Sequence, residues 1–199
     1  MSADVGLKSP VRHKWTWVEM LVSSLLSLTA SLVLSVDAWV LAANSNAELS
    51  CNISKAISCS TVAKAWQSTL LGFPNAFLGL IAEPVVITVA IASLAGVVFP
   101  RRFLVIANWV YGIGFVFAYW LFYQAYFVIG ALCPWCLLVT VTTTTVFLTM
   151  VRVNILENNF KLKPAMQERL SYWLRLNADS WLAAILIALI AAAVISKYF

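Results

Sequence analysis

Charge is what this chain has least of. Only 11% of its 199 residues are Asp, Glu, Lys or Arg, and from Phe103 to Val151 there is none. A soluble domain carries about a quarter of its residues as charges, so that class is excluded. As one straight helix, the charge-free run would extend about 74 Å, more than twice a hydrocarbon core of about 30 Å. It must fold back once, and "FVIGALCPW", with Gly130 and Pro134, holds its only break. Histidine is nearly absent too: His13 is the single one, and it reads as a solvated flank ahead of the first apolar run. No glycine-rich phosphate loop, repeat or low-complexity segment is present.

What is there is hydrophobic: 62% of the chain, with nine tryptophans. Apolar runs of spanning length predict an all-α integral membrane protein of one domain, residues 1–199, crossing five times at about 16–43, 75–99, 103–128, 132–152 and 180–198. The first run is too long for a secretory signal, since it holds about 27 apolar residues against the 7–15 of a signal core.

Lysine and arginine set the orientation. With the N-terminus inside, Lys8, Arg12, Lys14, Arg101, Arg102, Arg152, Lys161, Lys163, Arg169 and Arg175 lie inside, against Lys55, Lys64 and Lys197 outside. The net charge of +5 is therefore a topology signal, and nucleic acid is not an expected partner. "PAMQERLSYWLRL" puts Met166, Leu170, Trp173 and Leu174 on one face, predicting an interfacial helix at about 164–177 on the inner side.

On this topology all four cysteines face outward: Cys51 and Cys59 in the loop 44–74, Cys133 and Cys136 at the mouth of the fourth span. Disulfides persist in the bacterial extracytoplasmic space and the ER lumen. Cys133 and Cys136 meet on one helical turn, within bonding range of each other. Cys51 and Cys59 would stand about 12 Å apart on a continuous helix, so any bond between them requires the chain to bend. "CNISKAISC" allows a bend. Four cysteines permit three pairings, and the sequence leaves them open.

Pro134 suits the first turn of a helix, so CPWC reads as the start of span four. The partial positive charge at a helix N-terminus favours thiolate, the species that attacks disulfides and electrophilic rings. A reactive pair where water meets lipid suits exchange between an aqueous thiol and a membrane-dissolved quinone. The competing readings are a scaffold stapled by two structural disulfides, a four-thiolate zinc site, for which C-x7-C is a poor ligand spacing, and a transporter. The transporter is disfavoured because Asp37 and Glu83 are the chief ionisable groups within the spans. No metal is expected.

With Cys51, Cys59 in "AISCS", "CPWC" at 133–136 and "PNAFLG" at 74–79, residues 15–152 resemble the vitamin K epoxide reductase family, in particular its bacterial members. The resemblance implies a four-helix transmembrane bundle around a quinone, capped by the outer loop, with a fifth helix peripheral to it. It implies that electrons enter at Cys51 from a thioredoxin-fold protein and pass through Cys59 and Cys133 to Cys136. Cys136 then hands them to a quinone of the ubiquinone, menaquinone or vitamin K type, whose carbonyl is bound by Asn75. Bacterial members reoxidise a DsbA-like dithiol protein. Many relatives carry a thioredoxin-like domain after a fifth span; here the chain stops at Phe199, so a separate extracytoplasmic partner is expected. The bacterial cytoplasmic membrane is favoured over the ER, with the C-terminus and active site outside. The animal pattern has a tyrosine where this chain has Thr140, which makes quinone reduction the expected activity ahead of epoxide reduction.

The supporting residues carry dual readings. Val62, Trp66, Thr69, Leu70 and Phe73 recur at helical spacing, as a lid over the quinone mouth or an interfacial helix anchored by Trp66. Asn75 is a quinone donor or a helix cap. Glu83 either delivers a proton to the reduced quinone or is satisfied by neighbouring helices. Thr140 can donate one hydrogen bond to the quinone. Asp37 reads as a snorkelling surface carboxylate rather than a thiol-tuning group. Thr142–Thr145 turns all round its helix and reads as packing.

Overall fold

A computed structural model describes residues 14–198; Lys8, Arg12 and His13 lie outside the described residues. Seven α-helices make up nearly all of it. They are α1 Lys14–Ala43, α2 Cys59–Lys64, α3 Ala76–Leu94, α4 Arg101–Tyr123, α5 Pro134–Leu156, α6 Pro164–Arg175 and α7 Ala178–Tyr198. A 3-10 turn at Trp66–Thr69 comes after α2, and a π-helical turn at Gln124–Ile129 extends α4. Five of these helices are long and apolar enough to cross a bilayer, and the chain is a multi-pass membrane protein. Among the described residues the only β feature is an isolated bridge between Ile57 and Leu132.

The charge-free run folds back where it has to. The π turn closes on Gly130, whose φ of 72° is a left-handed conformation that a side chain would resist. Pro134 then opens α5 at a position that needs no N–H donor.

Helix α1 packs against both α3 and α5, and α4 packs against α5, whereas α3 and α4 scarcely touch. Lipid tails are as apolar as leucine, so close packing of small residues has to hold such helices together. Ser24, Ser27, Ala30, Ser31 and Ser35 continue the buried stripe of α1 beyond Trp17 and Met20. Opposite it, Gly79 approaches so closely that an added Cβ would stand 2.0 Å from Ser31 Oγ. Large apolar side chains point outward instead, Ile81 and Ile113 being 69% and 72% exposed. The threonine run is packing in fact: Thr142, Thr144 and Thr145 donate back to carbonyls of their own helix. Helix α7 lies against α5, outside the four-helix bundle, and is tied to it by both carboxylate oxygens of Asp179 on Arg152 at 3.0 Å.

Candidate redox site

The sulfurs are gathered by a short piece of backbone pairing. Ser58 N donates to Leu132 O at 3.0 Å and Leu132 N donates to Ala56 O at 2.9 Å, which fixes the loop against the chain just ahead of α5. Cys59 directly follows Ser58 and Cys133 directly follows Leu132. Cys59 Sγ and Cys133 Sγ consequently stand 3.3 Å apart, each residue 2% exposed. Between Cys51 and Cys59 the chain makes the bend their spacing demanded, bringing the Cα atoms to 5.7 Å, and the two are disulfide-bonded. Asn52 holds the bend: its amide donates to Ser60 Oγ at 2.7 Å, and its carbonyl accepts from Ser60 N and Ser58 Oγ. Cys133 and Cys136 are free thiols. The pairing that the sequence left open is thus 51 with 59.

Cys133 caps α5, its sulfur accepting from Cys136 N at 3.4 Å. The hydrogen bond from the Cys136 thiol is the largest influence holding the Cys133 thiol below its ordinary value, with the backbone N–H groups of Cys136 and Trp135 adding to it against the opposing effect of burial. The Cys133 sulfur faces the neighbouring disulfide sulfur of Cys59. Asp37 lies beside this cluster, with Oδ2 3.8 Å from Cys51 Sγ. Asp37 is half-exposed near the end of α1, and the folded loop brings Cys51 back onto it. Asp37, Cys51 and Cys59 present ligand atoms within 4.8 Å of one another, but the two sulfurs are joined and offer no thiolate to an ion.

Beneath the cysteines a cavity of about 1300 Å³ runs the length of the bundle, from Cys133, Cys136 and Asn75 at one end to Trp17 and Asn154 at the other. Ile81 of α3 and Val110 and Ile113 of α4 line it while being 63–72% exposed, so it opens sideways through the gap between those helices. Its wall is mostly apolar, with a few buried polar groups. Asn75 Oδ1, Gln67 Oε1 and Glu83 Oε2 are buried without a hydrogen-bond partner. An apolar chamber open to the bilayer, with orphaned polar atoms and a thiol in its wall, fits a ring with a lipid tail.

The loop does cover the mouth, Val62 and Phe73 both lining the cavity, but it is not one continuous helix. Ala65 is extended, with φ −71° and ψ 142°, and the next four residues form a 3-10 turn with three residues per revolution. The register therefore slips after Val62. Trp66 is turned out, 63% exposed and edge-on to Trp120 at 6.3 Å, so it is corrected from quinone-facing residue to outer surface. Gln67 takes the inward position instead, 3% exposed, and donates through Nε2 to Gln124 Oε1 at 3.3 Å. Asn75 makes no side-chain cap bond; its Nδ2 donates to Gln67 O at 2.6 Å, fastening the lid to the head of α3. Gln67 escaped notice in the sequence, where an amide among apolar neighbours was the available signal.

Thr140 lines the cavity, but its hydroxyl donates to Cys136 O at 2.9 Å, so its one proton is engaged. Glu83 lines the cavity farther along α3 and is 3% exposed. Cys59, Cys133, Cys136 and Asn75 thus converge on the lidded end, while Glu83 sits deeper in the same chamber.

Residues 18–151 match the model of the Vitamin K epoxide reductase family. No curated protein matches the chain.

Proposed function

Because the chain belongs to the vitamin K epoxide reductase family, whose members are membrane oxidoreductases linking thiol–disulfide chemistry to quinones, we propose that it is a thiol–quinone oxidoreductase. It reoxidises a thioredoxin-fold, DsbA-like dithiol protein outside the bacterial cytoplasmic membrane and thereby supports disulfide formation. The observation that carries this reading is the 3.3 Å approach of Cys59 to Cys133, which joins a loop disulfide to a thiol pair in the cavity wall. With the N-terminus inside by the basic-residue count, the lidded end faces the compartment where disulfides persist.

The partner's thiolate attacks Cys51, and Cys59 leaves as a thiolate. Cys59 then attacks Cys133 in its disulfide with Cys136, forming a mixed 59–133 disulfide and releasing Cys136; the partner's second thiol displaces Cys51 and leaves the partner oxidised, and the freed Cys51 attacks Cys59, restoring the 51–59 bond and releasing Cys133. The net result is an oxidised partner and a reduced Cys133–Cys136 pair. Exchange depends on the thiolate form of the attacking and leaving sulfurs, which is what the cap position gives Cys133. A bound quinone supplies a two-electron sink whose oxygens gain negative charge. Asn75 has a second amide proton to offer such an oxygen, a bond that strengthens as charge arrives. Thr140, its proton spent on Cys136 O, does not replace a tyrosine donor, which favours a quinone over an epoxide as acceptor.

The test is turnover of the purified protein with a panel of quinones, with and without a DsbA-like dithiol, monitored by quinone absorbance and thiol trapping. Dithiol-dependent quinone reduction with cycling cysteines is the expected result. Cysteines that never change state identify a stapled scaffold, and turnover on vitamin K epoxide identifies the animal-type reaction.

A further inference from the structure

The electron path leaves unused a second polar cluster in the cavity wall. Glu83 lies eight residues beyond Asn75 on one face-adjacent stretch of α3, about 12 Å along the axis at 1.5 Å per residue. That is about the length of a ring with a hydrogen bond at each of two opposite oxygens. Glu83 Oε1 accepts from Ser27 Oγ of α1 at 2.8 Å and from the Tyr111 hydroxyl of α4 at 2.9 Å. Three helices thus converge on one carboxyl group.

Its other oxygen is the anomaly. Oε2 is buried with no partner, in a residue that is 3% exposed and lines the cavity. A carboxyl serving only to knit helices would have both oxygens satisfied. An ionised one with an unpaired oxygen in apolar surroundings would cost several kcal/mol. A proton on Oε2 removes that penalty and turns an orphaned acceptor into a donor directed at the cavity. Among the described residues no counter-charge stands against it. α3 carries no other charged residue, and Lys14, Glu19 and Asp37 of α1, Arg101 and Arg102 of α4 and Arg152 of α5 all lie nearer the helix ends. Tyr119 is two turns farther along α4, bonded to Thr144 at 3.0 Å, which leaves Tyr111 as the titratable group in contact.

We infer that Glu83 is the internal acid of the quinone reaction, giving its Oε2 proton to the ring oxygen turned away from the cysteines while Ser27 and Tyr111 hold the resulting carboxylate. This rests on the thiol–quinone reading. Oxidation of the Cys133–Cys136 dithiol breaks two S–H bonds, forms one S–S bond and releases two electrons and two protons. One proton goes to the ring oxygen beside Asn75, and the other leaves to water at the lid. The second ring oxygen takes its proton from Glu83, which regains one from water, so two electrons and two protons reach the acceptor in all.

The test compares full-length wild type with E83Q, which keeps the shape and loses the acidic proton. In infrared spectra of the protein without quinone, wild type shows the C=O band of a buried protonated carboxyl and E83Q lacks it. With quinone and dithiothreitol, kcat of E83Q falls about a hundredfold while KM moves less than about threefold. The alkaline decline of kcat that accompanies ionisation of Glu83 disappears with it, and reduction of the Cys51–Cys59 bond by dithiothreitol is unchanged. A band that persists in E83Q, wild-type kcat, or a change confined to KM overturns the inference. Should E83Q not accumulate, E83D, which draws the acid back from Ser27 and Tyr111, must lower kcat for the inference to stand. Failure of wild type itself to reduce any quinone overturns the thiol–quinone reading with it, whereas wild-type turnover with an indifferent E83Q overturns this inference alone.

Discussion

Replacing Asn75 separates its two readings more sharply than any other single change. Its amide holds the lid through Nδ2 to Gln67 O at 2.6 Å, and its Oδ1 is buried and unpaired. In N75A the lid bond is lost at about 1 kcal/mol, and the bond to an oxygen gaining charge at about 1.5–3 kcal/mol. Together these predict a fall in kcat/KM for quinone of roughly two to three orders of magnitude. N75D is more informative. A carboxylate oxygen would face the Gln67 carbonyl with no proton between them, so N75D should be at least as impaired as N75A. Were Asn75 merely a helix cap, Asp would serve as well as Asn. Steady-state quinone reduction driven by dithiothreitol is the assay. Wild-type kinetics in N75D would refute both the lid bond and the ring contact.

Two further outcomes rest on the same geometry. Cys51→Ala should abolish turnover driven by a protein dithiol yet spare quinone reduction driven by dithiothreitol, because the small reductant reaches Cys133–Cys136 without the loop; equal loss in both assays contradicts the relay order. Gly79→Ala would put a methyl 2.0 Å from Ser31 Oγ and 2.8 Å from Ser31 Cβ, an overpacking of about 1–3 kcal/mol. Its thermal midpoint should drop and recover in S31G/G79A, and a G79A protein as stable as wild type contradicts the α1–α3 contact.

The membrane architecture was legible because its signals are coarse. A charge-free run too long for one crossing must fold back, and Gly130 and Pro134 supplied the place. The chemistry of CPWC was legible because Pro134 marks a helix start and so places Cys133 at the cap. What escaped the sequence depends on local backbone detail. Helical spacing from Val62 through Phe73 assumed an unbroken α-helix, and the extended Ala65 with a 3-10 turn exchanged Trp66 for Gln67 on the inner face. The approach of Asp37 to Cys51 was not legible, because nothing in the sequence shows how the Asn52-clamped loop returns Cys51 to the end of α1. Tyr111 and Ser27 were unremarkable as isolated positions, since only the packing of three helices makes them partners of Glu83.

Chemical trapping of the 59–133 bond tests the central claim most directly. In a C51A/C136A variant only Cys59 and Cys133 remain, 3.3 Å apart at the paired backbone of residues 57 and 132. After treatment with a thiol oxidant such as copper phenanthroline, mass spectrometry following alkylation without reductant should find these two residues joined, with no alkylatable thiol. Recovery of both as free, alkylated cysteines would contradict a relay from the loop to the cavity.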